Sequence, residues 1–227
     1  MNKLTAIVPI KKDSERIPGK NFMPFCGKPL FHYMLSTLQQ CDVIEKILID
    51  TDSEIIMNDV PAMYSKALII PRPDFLLGHH IVANELIAYD ISQTSDEHFL
   101  QTHVTNPLLS VGSITNAVNL YFSSLQVFDS LFSVNCIRKR MYDANCRPLN
   151  HFNSDMKPTQ QMDPVYVENS NMFVFSKSSF KNAGNSRIGL KPHLFEMSEI
   201  ESIDIDYPED FELAEIIYQN RVKFSIE

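Results

Sequence analysis

Leu4-Thr5-Ala6-Ile7-Val8-Pro9-Ile10 runs directly into Lys11-Lys12-Asp13-Ser14-Glu15-Arg16-Ile17-Pro18-Gly19-Lys20-Asn21. The first segment is apolar and rich in β-branched residues, the pattern of a buried strand. The second places four cations, Lys11, Lys12, Arg16 and Lys20, within ten residues. Ligands of open α/β sheets sit outside the carboxyl ends of the strands, so a cationic loop at that place suits a polyanion. The whole chain is acidic, with a formal net charge of -8. Local positive charge in such a chain points to a specific anionic ligand and away from a general nucleic-acid surface.

Further along, apolar segments and helical periodicities alternate, which predicts a mostly parallel sheet with helices on both faces. Strands are expected at Lys46 to Asp50, Ala67 to Ile70, Phe99 to Val104 and Ser130 to Val134. Helices are expected over residues 81–93 and 111–123. Pro29 is placed to open a helix, since its missing N–H costs nothing at the first helical position. Leu30, Tyr33, Met34, Thr37, Leu38 and Cys41 follow at helical spacing. At 227 residues the chain fits one large α/β domain. Residues 136–166 differ in texture: cations, Asn and Pro mix with isolated apolar residues without a period, as expected of an insertion leaving the core sheet.

The composition excludes several classes. Nothing approaches the roughly 20 consecutive apolar residues of a membrane span, and residues 4–10 lack the length and flanks of a signal peptide, so a cytoplasmic location is expected. Cys26, Cys41, Cys136 and Cys146 include no Cys-x-x-Cys pair and are expected as reduced thiols. The loop is not Gly-x-x-x-x-Gly-Lys-Ser/Thr, and only 6 glycines occur in the chain. Neither a Walker-type phosphate loop nor a Gly-rich dinucleotide fold is supported. The adjacent His79 and His80 diverge on any regular backbone and are expected to be exposed polar residues.

Ser202-Ile203-Asp204-Ile205-Asp206 alternates strictly, so on a strand Asp204 and Asp206 share one face. Two carboxylates held together raise one pKa unless a cation intervenes, and a hard divalent ion is one solution. Pro208-Glu209-Asp210 reads as a helix start, with acids at the positive end of the dipole.

The stretch from Ala6 to Asn21 resembles the N-terminal signature of the acylneuraminate cytidylyltransferases, the CMP-sialic acid synthetase family. Gly27-Lys28-Pro29-Leu30, Asp50-Thr51-Asp52-Ser53-Glu54, Arg72-Pro73 and Glu201-Ser202-Ile203-Asp204-Ile205-Asp206 follow in the same order, so the likeness spans roughly the whole chain. It implies a Rossmann-like three-layer α/β/α nucleotidyltransferase over residues 1–227, working as a homodimer. Residues 136–166 would then be a small dimerisation insertion that helps complete the partner's site. The implied reaction transfers CMP from CTP to a 2-keto-3-deoxy sugar acid, a nonulosonic acid of sialic-acid type, with release of pyrophosphate, for surface polysaccharide synthesis.

Carried over residue by residue, the resemblance assigns Lys20 to CTP binding and to the charge that grows on the α-phosphate and the departing pyrophosphate. Lys11, Ser14, Asn21 and Arg72 are assigned to CTP, and Asp204 and Asp206 to the catalytic magnesium. The chain departs from the family at four places. Lys11 stands where Arg is usual, keeping the charge but losing the planar bidentate fork. Thr102-His103-Val104-Thr105-Asn106-Pro107-Leu108-Leu109 stands where Leu-Gln-Pro-Thr-Ser-Pro-Leu-Arg is common, so His103 replaces an acceptor-binding Gln, and Leu109 replaces Arg. Val167 replaces an Arg ahead of Asn169. The nucleotide half is kept and the acceptor half rewritten. His103 and Asn169 are expected to contact the acceptor, with Arg140 and Arg147 of the insertion supplying replacement cations. A Kdo-like or phosphonate acceptor, or a nucleotide-binding protein that has lost catalysis, are the alternative readings.

Overall fold

The structure is a computed structural model, and it describes residues 2–78, 80–152, 154 and 157–221. The expectation for His79 lies outside the described residues; His80 is exposed.

Strand β1 (Leu4–Ile7) is buried along its whole length. The cationic loop follows and ends in a short 3-10 turn at Lys20–Phe22. A small hairpin, β2 (Pro24–Phe25) and β3 (Lys28–Pro29), comes next. Its two turn residues, Cys26 and Gly27, have φ of 45° and 92°, the left-handed geometry of a tight hairpin connection. Pro29 therefore closes a hairpin, and helix α1 (Phe31–Gln40) starts two residues later behind Leu30. The expected helix is present, but its buried stripe is Phe31, Met34, Leu35 and Leu38.

β4 (Ile44–Thr51) is followed by α2 (Glu54–Met63), whose N-cap Ser53 accepts from the Ile56 N–H. β5 (Ala67–Pro71), α3 (Ala83–Ser92), β6 (His98–Gln101), α4 (Val111–Ser124) and β7 (Ser130–Ile137) continue the alternation. The chain then leaves the sheet and returns as β8 (Val165–Ser176), followed by α5 (Lys177–Asn182), β9 (Pro192–Glu196) and α6 (Pro208–Gln219). The seven-stranded sheet has the order β5-β4-β1-β6-β8-β7-β9. All neighbours are parallel except those of β8, which is antiparallel to both β6 and β7. The chain steps to one side of β1 with β4 and to the other with β6, so the carboxyl ends of β1 and β6 form a topological switch point, where α/β folds bind ligands.

β6 is shorter than the sequence suggests. After Gln101 the backbone peels away, because Thr105 offers its carbonyl to the Ile205 N–H at 2.9 Å. Residues 203–206 are likewise no strand of the sheet. They lie extended along the 102–106 loop, held also by the Asn106 side chain on the Ile203 carbonyl (3.4 Å) and the Asn171 side chain on the Ser202 carbonyl (3.0 Å). The alternation still operates: Ile205 is fully buried in the cluster formed by Ile17, Phe25, Leu30, Leu108, Phe211, Ala214 and Ile217. The carboxylates on either side of it are thereby turned away from that core.

The outer halves of β7 and β8 continue beyond the main sheet as a ribbon, pairing Val134–Ile137 with Val165–Glu168. The 136–166 segment begins and ends on this ribbon, and an isolated bridge between Tyr142 and Pro148 ties its loop. The free cysteines run from buried Cys41 to exposed Cys146. No described helix is long and apolar enough to cross a membrane.

A buried charge cluster braces β4, β5 and α3. The Arg72 guanidinium Nε donates to Asp50 Oδ1 at 2.6 Å, with both side chains essentially inaccessible. Asp90 lies beside them, and burial together with the Asp50 charge pushes its pKa up to about 9. Such a carboxyl keeps its proton when folded at pH values where the unfolded chain has lost it. Its contribution is therefore complete below the ordinary carboxylate range and is lost as pH rises toward about 9. Asp90→Asn keeps the neutral shape without a titratable proton. In urea unfolding at about pH 5, 7 and 8.5, the wild type is expected to lose stability with rising pH relative to Asp90→Asn. Parallel profiles for the two proteins would show that Asp90 is ionised in the fold.

Candidate active site

A cavity of about 290 Å³ opens at the switch point, lined by Pro9, by Lys11, Arg16 and Lys20 together with Asp13, Ser14, Glu15 and Asn21 of the first loop, by Ile81, Ala83, Leu86 and Ile87 around α3, by Gln101 at the end of β6 and His103, Val104 and Thr105 after it, and by Asp206. One wall thus carries the loop's charged and polar groups, three of them cations, one is apolar, and the remainder carries the end of β6 and the terminal aspartate.

The cationic wall is held from several directions. Gly19 has φ 66° at the start of the 3-10 turn, a left-handed conformation natural to glycine. This turn places Lys20 inward, only 7% exposed. Its ammonium donates to the Ile205 carbonyl and lies 3.6 Å from Asp206 Oδ1. Arg16 reaches the same carboxylate and pairs with Asp206 Oδ2. Asn21 donates from Nδ2 to the Lys11 carbonyl at 2.9 Å, closing the loop on itself. Its Oδ1 is buried without a hydrogen-bond partner among the described residues, which leaves an acceptor for a ligand N–H or O–H. Lys11 and Ser14 are half-buried on the lining. Lys12 is exposed and faces a different hollow beside Asp52.

Asp206 is set by the start of α6. Asp210 Oδ2 accepts from the backbone N–H groups of Asp206 (3.0 Å) and Tyr207 (2.8 Å), forming a capping box ahead of Pro208. Asp210, read from the sequence as a helix-start acid, is also the cap that orients Asp206. Asp204 lies deeper. Its pKa is raised, chiefly by burial and further by the Asp206 charge, against a hydrogen bond from Thr105. Asp204 Oδ1 is buried with no hydrogen-bond partner among the described residues. An orphaned carboxylate oxygen two residues from a second carboxylate, next to a phosphate-type cationic wall, suits a hard divalent cation that takes oxygen ligands. Two carboxylates are donors of the kind that magnesium takes, while among the described residues no cluster of three or more such side chains forms.

The acceptor-side expectations divide. His103 lines the cavity. Burial, reinforced by the nearby Arg187 and Lys20 charges, lowers its pKa to about 4, so the ring is neutral at physiological pH. Asn169 lies on an irregularity of β8, where the pairing jumps from Phe132–Phe173 to Val134–Glu168. It accepts from Ser133 Oγ at 2.6 Å, and its Nδ2 is buried without a partner among the described residues. Neither Asn169 nor Arg72 lines the cavity. Arg140 donates to the Lys157 carbonyl at 2.6 Å and borders a separate hollow on the insertion. The Arg147 backbone N–H closes a turn on Asp143.

Three contributors escaped the sequence reading. Arg16 was counted as a loop cation, but its pairing with Asp206 spans 190 positions of sequence and exists only in the fold. Gln101 and Arg187 are joined across the end of β6. Arg187 is carried by a loop that Gly189 permits to approach β7. A Cβ at Gly189 would lie 2.1 Å from Asp129 Oδ1, an atom that accepts from the Lys191 N–H.

Comparisons with known proteins bear on the family and the fold. The profile of the family described as Cytidylyltransferase matches residues 5–227. The N-acylneuraminate cytidylyltransferase of Escherichia coli O18:K1:H7 is 27% identical over 99% of this chain, which spans only 54% of that relative's length. The CMP-N,N'-diacetyllegionaminic acid synthase of Legionella pneumophila is 27% identical over 94% of this chain and 95% of its own. Among solved structures, CMP:2-keto-3-deoxy-manno-octonic acid synthetase complexed with CTP superposes with a TM-score of 0.70 at 11% identity, covering 97% of this chain and all of that one. The 4-diphosphocytidyl-2C-methyl-D-erythritol synthase of Anaerococcus prevotii gives 0.67 at 12% identity, covering 96% of each. These two similarities bear on the fold.

Proposed function

Because the chain belongs to the cytidylyltransferase family, we propose that it transfers CMP from CTP to the anomeric hydroxyl of a nonulosonic acid, releasing pyrophosphate. The observation that carries this reading is the juxtaposition, at one switch-point cavity, of a buried lysine, a cationic loop and Asp206, with the buried Asp204 two residues before it in the chain. Relatives named for sialic, legionaminic and pseudaminic acids support a sugar-acid acceptor.

The triphosphate lies against Lys11, Ser14, Arg16 and Lys20, where fixed cations offset its charge. Lys20 is already ordered and dehydrated by burial, so it meets the charge developing at the α-phosphate without reorganising. Asn21 Oδ1 accepts from a donor group of the nucleoside. Asp206 holds Arg16 and Lys20 in register with each other. Asp204 and Asp206 would hold magnesium, which when bound would supply Lewis-acid polarisation of the phosphate. Phosphoryl transfer of this kind needs positioning and charge stabilisation more than covalent help. Arg140 and Arg147 lie away from this cavity, on an insertion that exposes Tyr142, Leu149 and Phe152. In a homodimer that apolar surface would be covered and the two arginines brought to the partner's acceptor.

Pyrophosphate release with each of the four nucleoside triphosphates, magnesium and a panel of nonulosonic and octulosonic acids tests the proposal. CTP is expected to be strongly preferred and a nonulosonic acid to be required. Equal use of ATP and CTP, or exclusive use of an octulosonic acid, would refute it.

A further inference from the structure

Arg187 is fixed on three sides. Its Nη1 donates to Gln101 Oε1, its Nε donates to Asn84 Oδ1 at 3.1 Å, and its guanidinium stacks 4.1 Å from the centre of the Phe173 ring. A guanidinium has no acceptor, so the Gln101 oxygen must be the atom that faces it. The amide nitrogen of Gln101 is then committed to the opposite side. There it donates to the Thr102 carbonyl at 3.1 Å and meets His103 Nε2 at 3.0 Å. An amide N–H can only donate, so His103 Nε2 must receive it through its lone pair. In a neutral ring the single proton then sits on Nδ1, and the ring belongs to a residue that lines the cavity.

We propose that Arg187 and Gln101 are positioning residues that hold His103 as its Nδ1–H tautomer, so that His103 donates a hydrogen bond to an oxygen of the acceptor. The inference rests on the sugar-acid reading above and names the group recognised. A nitrogen that donates and cannot accept fits an oxygen lone pair, and a sugar-acid carboxylate is the strongest such partner. Gln101 and His103, two apart at the end of β6, form one recognition unit whose polarity is set 86 positions away by Arg187.

Long-range ¹H–¹⁵N spectra of the full-length protein, with the His103→Gln variant to assign the ring, read the tautomer directly. The wild type is expected to show a protonated Nδ1 and a bare Nε2 near neutral pH. A wild-type ring protonated at Nε2 would overturn the proposal without any variant. Gln101→Glu keeps an acceptor toward Arg187 but turns the donor beside His103 into an acceptor, so Nε2 should become protonated. Its acceptor KM should rise about tenfold or more, with CTP KM within about twofold of wild type, since only an acceptor contact is lost. A changed tautomer with unchanged acceptor KM would overturn the recognition role. A wild type that uses no sugar acid with CTP would refute the functional reading itself, whichever tautomer the spectrum shows.

Discussion

Lys20→Ala is expected to lower kcat by about 10² to 10³-fold, the cost of removing one preorganised group that meets transition-state charge. Lys12→Ala should change it by less than about twofold, because an exposed, solvated lysine contributes little to a bound ligand. The contrast follows from placement within one loop. Lys20 is nearly buried, is hydrogen-bonded to the Ile205 carbonyl and lies beside Asp206 on the cavity wall. Lys12 points into solvent over a neighbouring hollow. Steady-state pyrophosphate release at saturating CTP checks this, alongside thermal unfolding to show that each variant remains folded. Equal small losses in the two would reduce the loop to a charged surface.

Asp206→Asn is the second large effect. The substitution removes the charge that organises Arg16 and Lys20 and one of the two proposed magnesium ligands, while Asp210 still caps the backbone there. Turnover should fall at least about tenfold, corresponding to about 1.4 kcal/mol of lost transition-state stabilisation. Asp204→Asn should act in the same direction, since it removes the orphaned carboxylate oxygen. The wild type should also need more magnesium than a few micromolar for full rate, and the Asn variants more than the wild type. Wild-type rates from both variants at limiting magnesium would remove these residues from the chemistry.

What the sequence disclosed depended on whether the signal was local. β1 and its loop were legible because an apolar run and a cluster of cations are adjacent in the chain, and the strand stays buried from Leu4 to Ile7. The Asp204–Asp206 pair was legible through alternation even though no strand forms there. Burying Ile205 in the α6 cluster demands the same facing that a sheet would impose. Pro29 was misplaced because a hairpin with left-handed Cys26 and Gly27 precedes the helix, and a non-glycine residue in that conformation has little signature. β6 ends early because Thr105 bonds to Ile205, a partner 100 positions away.

The least legible parts are pairings between distant charges. Arg72 resembled a nucleotide contact, yet in the fold its guanidinium donates to Asp50 in the core. Arg187 gave no local signal, although in the fold it donates to Gln101 on the cavity wall. Both outcomes depend on how strands and loops converge, which hydrophobic periodicity does not encode.

The central claim is that the protein joins CMP to a sugar acid at the α-phosphorus. ³¹P NMR of CTP, magnesium and a nonulosonic acid with the wild-type protein tests it most directly. The account predicts pyrophosphate and one new phosphodiester resonance, growing in equal amounts as CTP is consumed. CDP with inorganic phosphate, CMP and pyrophosphate without a sugar ester, or unchanged CTP across every acid tried would contradict it.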